Sequence, residues 1–279
     1  MRRRSSRRID DTEVPTLLRT DDGVDVAARH TMSSRGYGDV AIVVVHGFTG
    51  TSRNAAVRRA VGALAEHAGV VALDLRGHGE SGGRSTLGDL EVHDVEAAVR
   101  WARQLGYPRV ATVGFSLGSA CVVRHGGVCG GVDAVVATSG PSRWYYMGTR
   151  PMRTLHRAVG WPLGPLLLSV AYGTRVDPRH WQPTRQETWP PDPRACAARI
   201  APTPLLIVHG DRDRYFPLDH AEALYAAAGE PRELWVERGY GHAENAASPE
   251  LLHRIGSWVR RAVGREDGTA AERVGEAAR

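Results

Sequence analysis

Val110-Ala111-Thr112-Val113-Gly114-Phe115-Ser116-Leu117-Gly118-Ser119-Ala120 is the stretch on which the fold of this 279-residue chain turns. A short apolar run breaks at a serine set between glycines and continues in small residues, which predicts a strand, a sharp turn and a helix start. A turn that tight forces its central residue into a strained backbone conformation, and glycines two before and two after remove the Cβ atoms that would collide. Ser116 is therefore expected to stand out from the carboxyl edge of a sheet. Backbone N–H groups of the next helix's first turn face the same place, where they can hold a negative oxygen. An ordinary glycine-flanked strand-to-helix turn would read the same way, so the neighbouring sequence decides.

Upstream, Val40 to Val45 is a continuous apolar run rich in β-branched residues, the pattern of a strand buried on both faces of a parallel sheet. Val70 to Leu75 is a second. Between them, Val57, Val61 and Leu64 predict a helix over Asn54 to His67, closed by Gly69. Leu90, Val95, Ala98, Val99 and Ala102 predict another over Leu87 to Leu105, with Thr86 as cap and Asp89 three residues on. Nearer the N-terminus, Leu17–Arg19 and Val24–Ala28 flank Asp21-Asp22-Gly23, a hairpin signal at an antiparallel edge. Downstream, Ala134–Thr138, Leu205–Val208 and Glu233–Val236 read as strands and Leu218–Ala228 as a helix. Ser248-Pro249-Glu250 opens a last one. Strand and helix alternate, so the fold class is α/β with right-handed parallel crossovers.

Gly114-Phe115-Ser116-Leu117-Gly118 fits the pattern G-x-S-x-G and resembles the nucleophile elbow of the α/β-hydrolases. His46-Gly47-Phe48, after a central strand, resembles the oxyanion loop of the same family. That resemblance implies backbone N–H donors at Phe48 and Leu117, with His46 bracing the loop rather than reacting. Asp74 to Ser81 resembles the loop after the family's fourth strand. The same region, Gly77-His78-Gly79-Glu80-Ser81-Gly82, also matches the dinucleotide pattern G-x-G-x-x-G. Gly83-Arg84-Ser85 prolong the loop, however, and leave a phosphate without a helix terminus to sit on.

A serine hydroxyl needs a base oriented by a third group. Of twelve histidines, His242 sits in a glycine-flanked loop directly after the last predicted strand. Two acids, Asp211 and Asp213, follow the preceding strand. The spacing Gly210-x-x-Asp213 with Pro217 four residues on resembles the family's acid loop and implies Asp213, with Asp211 as the alternative. Thr138-Ser139 offers no carboxylate at the other position that some relatives use. The motifs, spread over about residues 15 to 263, resemble the serine-hydrolase branch, and within it monoacylglycerol-lipase-like carboxylesterases. A dehalogenase would carry aspartate where Ser116 stands. The resemblance implies the α/β-hydrolase fold, a mostly parallel sheet flanked by helices with an inserted cap. It also implies cleavage of small acyl esters through an acyl-enzyme, with no cofactor and no metal. Acyl transfer and thioester cleavage use the same triad. A silent ligand-binding relative fits less well with Ser116, Asp213 and His242 all in place.

Apolar residues at 42% and charged residues at 24% describe an ordinary globular chain. The net charge of +5 comes from scattered arginines with no lysine, apart from Arg2, Arg3, Arg4, Arg7 and Arg8, so no nucleic-acid partner is expected. Ile9-Asp10-Asp11-Thr12-Glu13 after those arginines is no secretory signal. Trp161 to Tyr172, broken by Pro162, Gly164 and Pro165, falls short of a bilayer span. Cys121, Cys129 and Cys196 form neither a disulfide framework nor a metal pattern, and a cytoplasmic location is expected. No feature of the sequence sets an oligomeric state.

The expected organisation is a flexible basic tail over 1–14, a core from 15–140 and 204–263, a cap over 141–203 and a flexible tail over 264–279. Four of the seven tryptophans, Trp144, Trp161, Trp181 and Trp189, fall in the cap. Trp144, Tyr145, Tyr146 and Met147, with Leu163 to Leu168, are expected to line an apolar acyl pocket. The alternative is that these aromatics pack the cap onto the body.

Overall fold

In the computed structural model, which describes residues 15–177 and 189–276, Asp21-Asp22-Gly23 turns the chain between β1 (Thr16–Arg19) and β2 (Asp25–Thr31), with Gly23 at φ 82°. The apolar runs follow as β3 (Val40–Val45), β4 (Gly69–Leu73), β5 (Arg109–Phe115), β6 (Ala134–Thr138) and β7 (Leu205–Gly210), buried throughout except at Arg109. The half-buried β8 (Arg232–Glu237) completes an eight-stranded sheet in the order β1-β2-β4-β3-β5-β6-β7-β8. The β1–β2 and β2–β4 pairs are antiparallel, and every later pair is parallel.

Alternation along these strands sends successive side chains to opposite faces. Val43, Val45, Val71 and Leu73 meet α2 (Glu91–Gln104) and α3 (Leu117–Val128) through Val95, Ala98, Cys121 and Val122. Ile42, Val44 and Val70 meet α1 (Ala55–Leu64) and, at the chain's end, α9 (Pro249–Glu276) through Val61, Leu64, Leu252 and Ile255. Between β6 and β7 the chain leaves the sheet for α4 (Arg150–Gly160), α5 (Gly164–Tyr172) and α6 (Pro193–Ala197). After β7 come α7 (Asp219–Ala227) and the single turn α8 (Ala243–Ala246). Among the described residues no helix is long and apolar enough to cross a membrane. Residues 1–14, 277–279 and Trp181 lie outside the described residues.

Three boundaries differ from the sequence reading. Gly69 does not close α1 but opens β4, where a Cβ would stand 2.1 Å from the Tyr107 hydroxyl. The helix expected from Leu87 starts at Glu91, because the buried Glu91 carboxylate gathers the N–H groups of Thr86, Leu87 and Gly88 and both hydroxyls of Ser85 and Thr86. Thr86 still serves the helix entrance, accepting from the Leu90 N–H at 2.7 Å. The last helix continues past Gly264 to Glu276.

The edge hairpin is tied to the body by Arg76. Its buried guanidinium holds Asp94 of α2 and forks onto Asp22 at 2.6 and 3.0 Å. Those bonds pull the Asp22 carboxyl down to about 2. A depressed folded-state value stabilises above the ordinary 3.8, and the stabilisation is lost as pH falls through that value toward 2. Asp22→Asn should cost about 2 kcal/mol at pH 7, and thermal melting should show the gap to wild type narrowing between pH 5 and pH 3; a constant gap would remove Asp22 as its source.

Candidate active site

Ser116 follows β5 directly at φ 52° and ψ −112°, a region that non-glycine residues rarely adopt and that costs about 1–3 kcal/mol. Close backbone approach holds it there. A Cβ on Gly114 would stand 2.2 Å from the Gly118 carbonyl oxygen, and one on Gly118 would stand 2.3 Å from that of Val45. The Ser116 N–H donates to Thr138 O at 2.9 Å, which ties the turn to the neighbouring strand.

Loops beyond β7 and β8 supply the partners. His242 Nε2 lies 2.9 Å from Ser116 Oγ, and His242 Nδ1 lies 2.7 Å from Asp213 Oδ2. The other oxygen of Asp213 accepts from the Tyr215 and Phe216 N–H groups at 2.8 and 3.1 Å, so its side chain is fixed before the histidine is considered. A carboxylate can only accept from Nδ1–H, which leaves Nε2 to receive the serine hydrogen. Asp211 instead accepts from the Gly239 N–H at 2.6 Å and serves the turn after β8. The Tyr215 ring stacks on His242 with centroids 4.3 Å apart.

His46 braces. The Leu75 N–H donates to its Nε2 at 3.1 Å, and its Nδ1 lies 2.7 Å from Gly47 O. Phe48 and Leu117 both line the cavity beside Ser116, and among the described residues their backbone N–H groups have no hydrogen-bond partner. The dinucleotide pattern is filled by the protein itself: a Cβ on Gly77 would stand 2.3 Å from Arg175 O, and one on Gly79 would stand 2.2 Å from the Asp74 carboxylate. A pyrophosphate would meet packed backbone and a like charge there.

The cavity over Ser116 measures about 700 Å³. Its apolar wall comes from Trp144, Met152, Leu155, Leu168, Tyr172 and Phe216. Of the four residues expected there, only Trp144 takes part. Its indole N–H donates to Pro190 O and Pro191 O at 3.1 and 3.0 Å. Tyr145 packs on His156 and Trp189 and bonds Met147 Sδ. Tyr146 packs edge-on against His220 and beside Phe216. These three fasten the β6–β7 segment, the alternative that the sequence left open. Leu163, Leu166 and Leu167 are exposed, whereas Leu168 faces inward. Met152, Leu155, Tyr215 and Glu244 carried no motif. Only the closeness of Tyr215 to Asp213 and of Glu244 to His242 marked them in the sequence.

Far from this cavity, Glu96, His125 and Cys129 place ligand atoms within 4.8 Å of one another, with His125 Nε2 2.7 Å from Glu96. The three cysteines are free.

The family model for the alpha/beta hydrolase fold matches residues 40–126. The esterase Pf2001 of Pyrococcus furiosus is 22% identical, with a TM-score of 0.68 over 88% of this chain and 91% of that one. Est1E of Butyrivibrio proteoclasticus, solved with ferulic acid bound, is 19% identical with a TM-score of 0.64 over 88% and 96%. The α/β hydrolase GrgF from a Penicillium species is 17% identical with a TM-score of 0.67 over 89% and 98%. No curated protein sequence matches the chain. The chain has the α/β-hydrolase fold.

An imidazole held at one nitrogen by a carboxylate and open to a hydroxyl at the other can take that hydroxyl's proton. Proton NMR should therefore show a strongly deshielded His242 Nδ1–H resonance that Asp213→Asn abolishes and Asp211→Asn leaves in place. The reverse pattern would move the acid to Asp211.

Proposed function

We propose that the protein is a serine hydrolase that cleaves carboxylic esters of small acyl compounds, with residues 141–203 as a cap over the site. The unbroken hydrogen-bonded chain from Ser116 through His242 to Asp213 carries this reading. The fold shared with known esterases supports it.

In the first half-reaction His242 Nε2 takes the hydroxyl proton as Ser116 Oγ bonds to the ester carbonyl carbon. The carbonyl electrons move onto oxygen, held by the N–H groups of Phe48 and Leu117, and Asp213 stabilises the imidazolium. The tetrahedral species collapses, the carbon–oxygen bond to the alcohol breaks, and His242 returns the proton to the leaving oxygen. Water then attacks the acyl-enzyme with His242 again as base, releasing the acid and restoring Ser116. Every proton in this cycle passes through one imidazole. Tyr215, stacked on that ring, keeps it from swinging away.

Ser116→Ala should lower kcat/KM for ester hydrolysis by at least about 10³-fold with unchanged melting, since triad members matter by that much or more. A fluorophosphonate probe should label wild type and not the variant. Residual activity above that level, or labelling of the variant, would overturn the assignment.

The cavity predicts an acyl preference. Each methylene buried against Met152, Leu155 and Leu168 should add about 0.8 kcal/mol, close to fourfold, until the space is full. kcat/KM for p-nitrophenyl esters from acetate to dodecanoate should climb and then level, and Trp144→Ala should flatten the climb. A flat series or an acetate optimum would defeat the apolar pocket.

A further inference from the structure

α5 is apolar nearly all round: from Gly164 to Tyr172 only Ser169 and the Tyr172 hydroxyl are polar. A helix of that kind is ordinarily covered on every side. One side is covered, where Leu168 is buried in the cavity wall. The other is not. Leu163, Leu166, Leu167 and Val170 stand at the spacing i, i+3, i+4 and i+7, which lines them along one face. With Trp161 before the helix and Tyr172 at its end, all six are more than half exposed. Single exposed apolar residues are ordinary, whereas a contiguous patch marks an interaction site.

The charge beside this patch has one sign. From Ala134 to Val176 the sequence holds Arg143, Arg150, Arg153, Arg157 and Arg175 and no aspartate or glutamate. Arg143 pairs with Asp219, and Arg153 and Arg175 donate to backbone carbonyls. Arg150 and Arg157, two turns apart on α4, are exposed and have no ion pair among the described residues. α4 packs on α5. Arg150 and Thr154 of the one and Tyr172 of the other are exposed and also line the cavity over Ser116, so the arginines and the apolar patch meet at its rim.

We propose that this rim is a docking surface for an anionic phospholipid bilayer, with Trp161, Val170 and the three leucines set at the acyl boundary and Arg150 and Arg157 against the headgroup phosphates. The chemistry of the patch selects that occupant. Tryptophan and tyrosine concentrate where headgroups meet hydrocarbon, and an apolar face edged by arginines is what holds an interfacial helix on anionic lipid. Each arginine near such a surface is worth about fivefold in binding, an attraction that salt screens. Docking turns the cavity mouth toward the phase in which apolar acyl esters collect. That consequence rests on the hydrolase reading, and the docking itself does not.

Flotation with large unilamellar vesicles tests it, with phosphatidylcholine alone set against a mixture of phosphatidylcholine and phosphatidylglycerol. Wild type should float with the mixed vesicles and bind phosphatidylcholine at least about tenfold more weakly, and the difference should vanish near 1 M salt, where the screening length is about 3 Å. Leu166 and Val170 are 60% and 79% exposed, so serine at both leaves the packing intact. Leu166→Ser with Val170→Ser should weaken binding to the mixed vesicles by about tenfold or more. Arg150→Gln with Arg157→Gln should weaken it by about 25-fold and leave binding to phosphatidylcholine as it was. The lipid and salt comparisons use wild type alone and hold whatever the variants do. Ser116→Ala should float as wild type does, so loss of the hydrolase reading leaves the docking standing, and absence of flotation leaves the hydrolase reading standing. No flotation, equal binding to both vesicles, or binding that the serine pair does not change would each overturn the proposal. So would a concentration-dependent dimer in sedimentation that the serine pair dissolves, since the face would then belong to a second copy of the chain.

Discussion

The positive φ of Ser116 is the constraint on which the site depends. A serine gains nothing by adopting φ 52° on its own, so the surrounding backbone must hold it there. Three segments do so. β6 receives the serine N–H, the end of β3 presses on Gly118, and the first turn of α3 closes over Gly114. The last two approaches are nearer than a Cβ permits. The two glycines of the motif are therefore packing requirements of the end of β3 and the first turn of α3 as much as of the turn itself.

The parallel sheet converts this local strain into a site. Its central strands all end at one edge, where open α/β sheets bind their ligands. The loops after β3, β5, β7 and β8 supply Phe48, Ser116, Asp213 and His242 in turn. Asp213 is locked by two backbone N–H groups of its own loop, so the acid is positioned within four residues of chain. The histidine, by contrast, is positioned by others: Asp213 from one side and the Tyr215 ring across its face.

Much of this was legible in the sequence because it is local. β3 and β6 fall on the residues that their apolar runs marked, and the elbow's glycines announced their clash. The spacing to Pro217 pointed to Asp213 over Asp211, and it is Asp213 that lies against His242 Nδ1 while Asp211 accepts from the Gly239 N–H. The start of α2 was hidden because Glu91, an unremarkable helical glutamate by pattern, reaches back to capture three preceding N–H groups. The pocket was hidden for a different reason. Trp144, Tyr145, Tyr146 and Met147 are neighbours in sequence without a helical or strand period, so no rule says which of them turns inward. That depends on His156, His220 and Phe216, which arrive from elsewhere.

The order in which the sheet is assembled has a consequence for the chain as it is made. Ser116 lies in the first half of the sequence, yet the imidazole 2.9 Å from its hydroxyl is 126 residues further on and follows the edge strand β8. A chain released from the ribosome before that strand would hold most of the sheet and a well-displayed serine, with no imidazole beside it. Synthesis from N- to C-terminus thus builds in a delay: the hydroxyl is presented early, and the imidazole beside it comes only after β8 has been made.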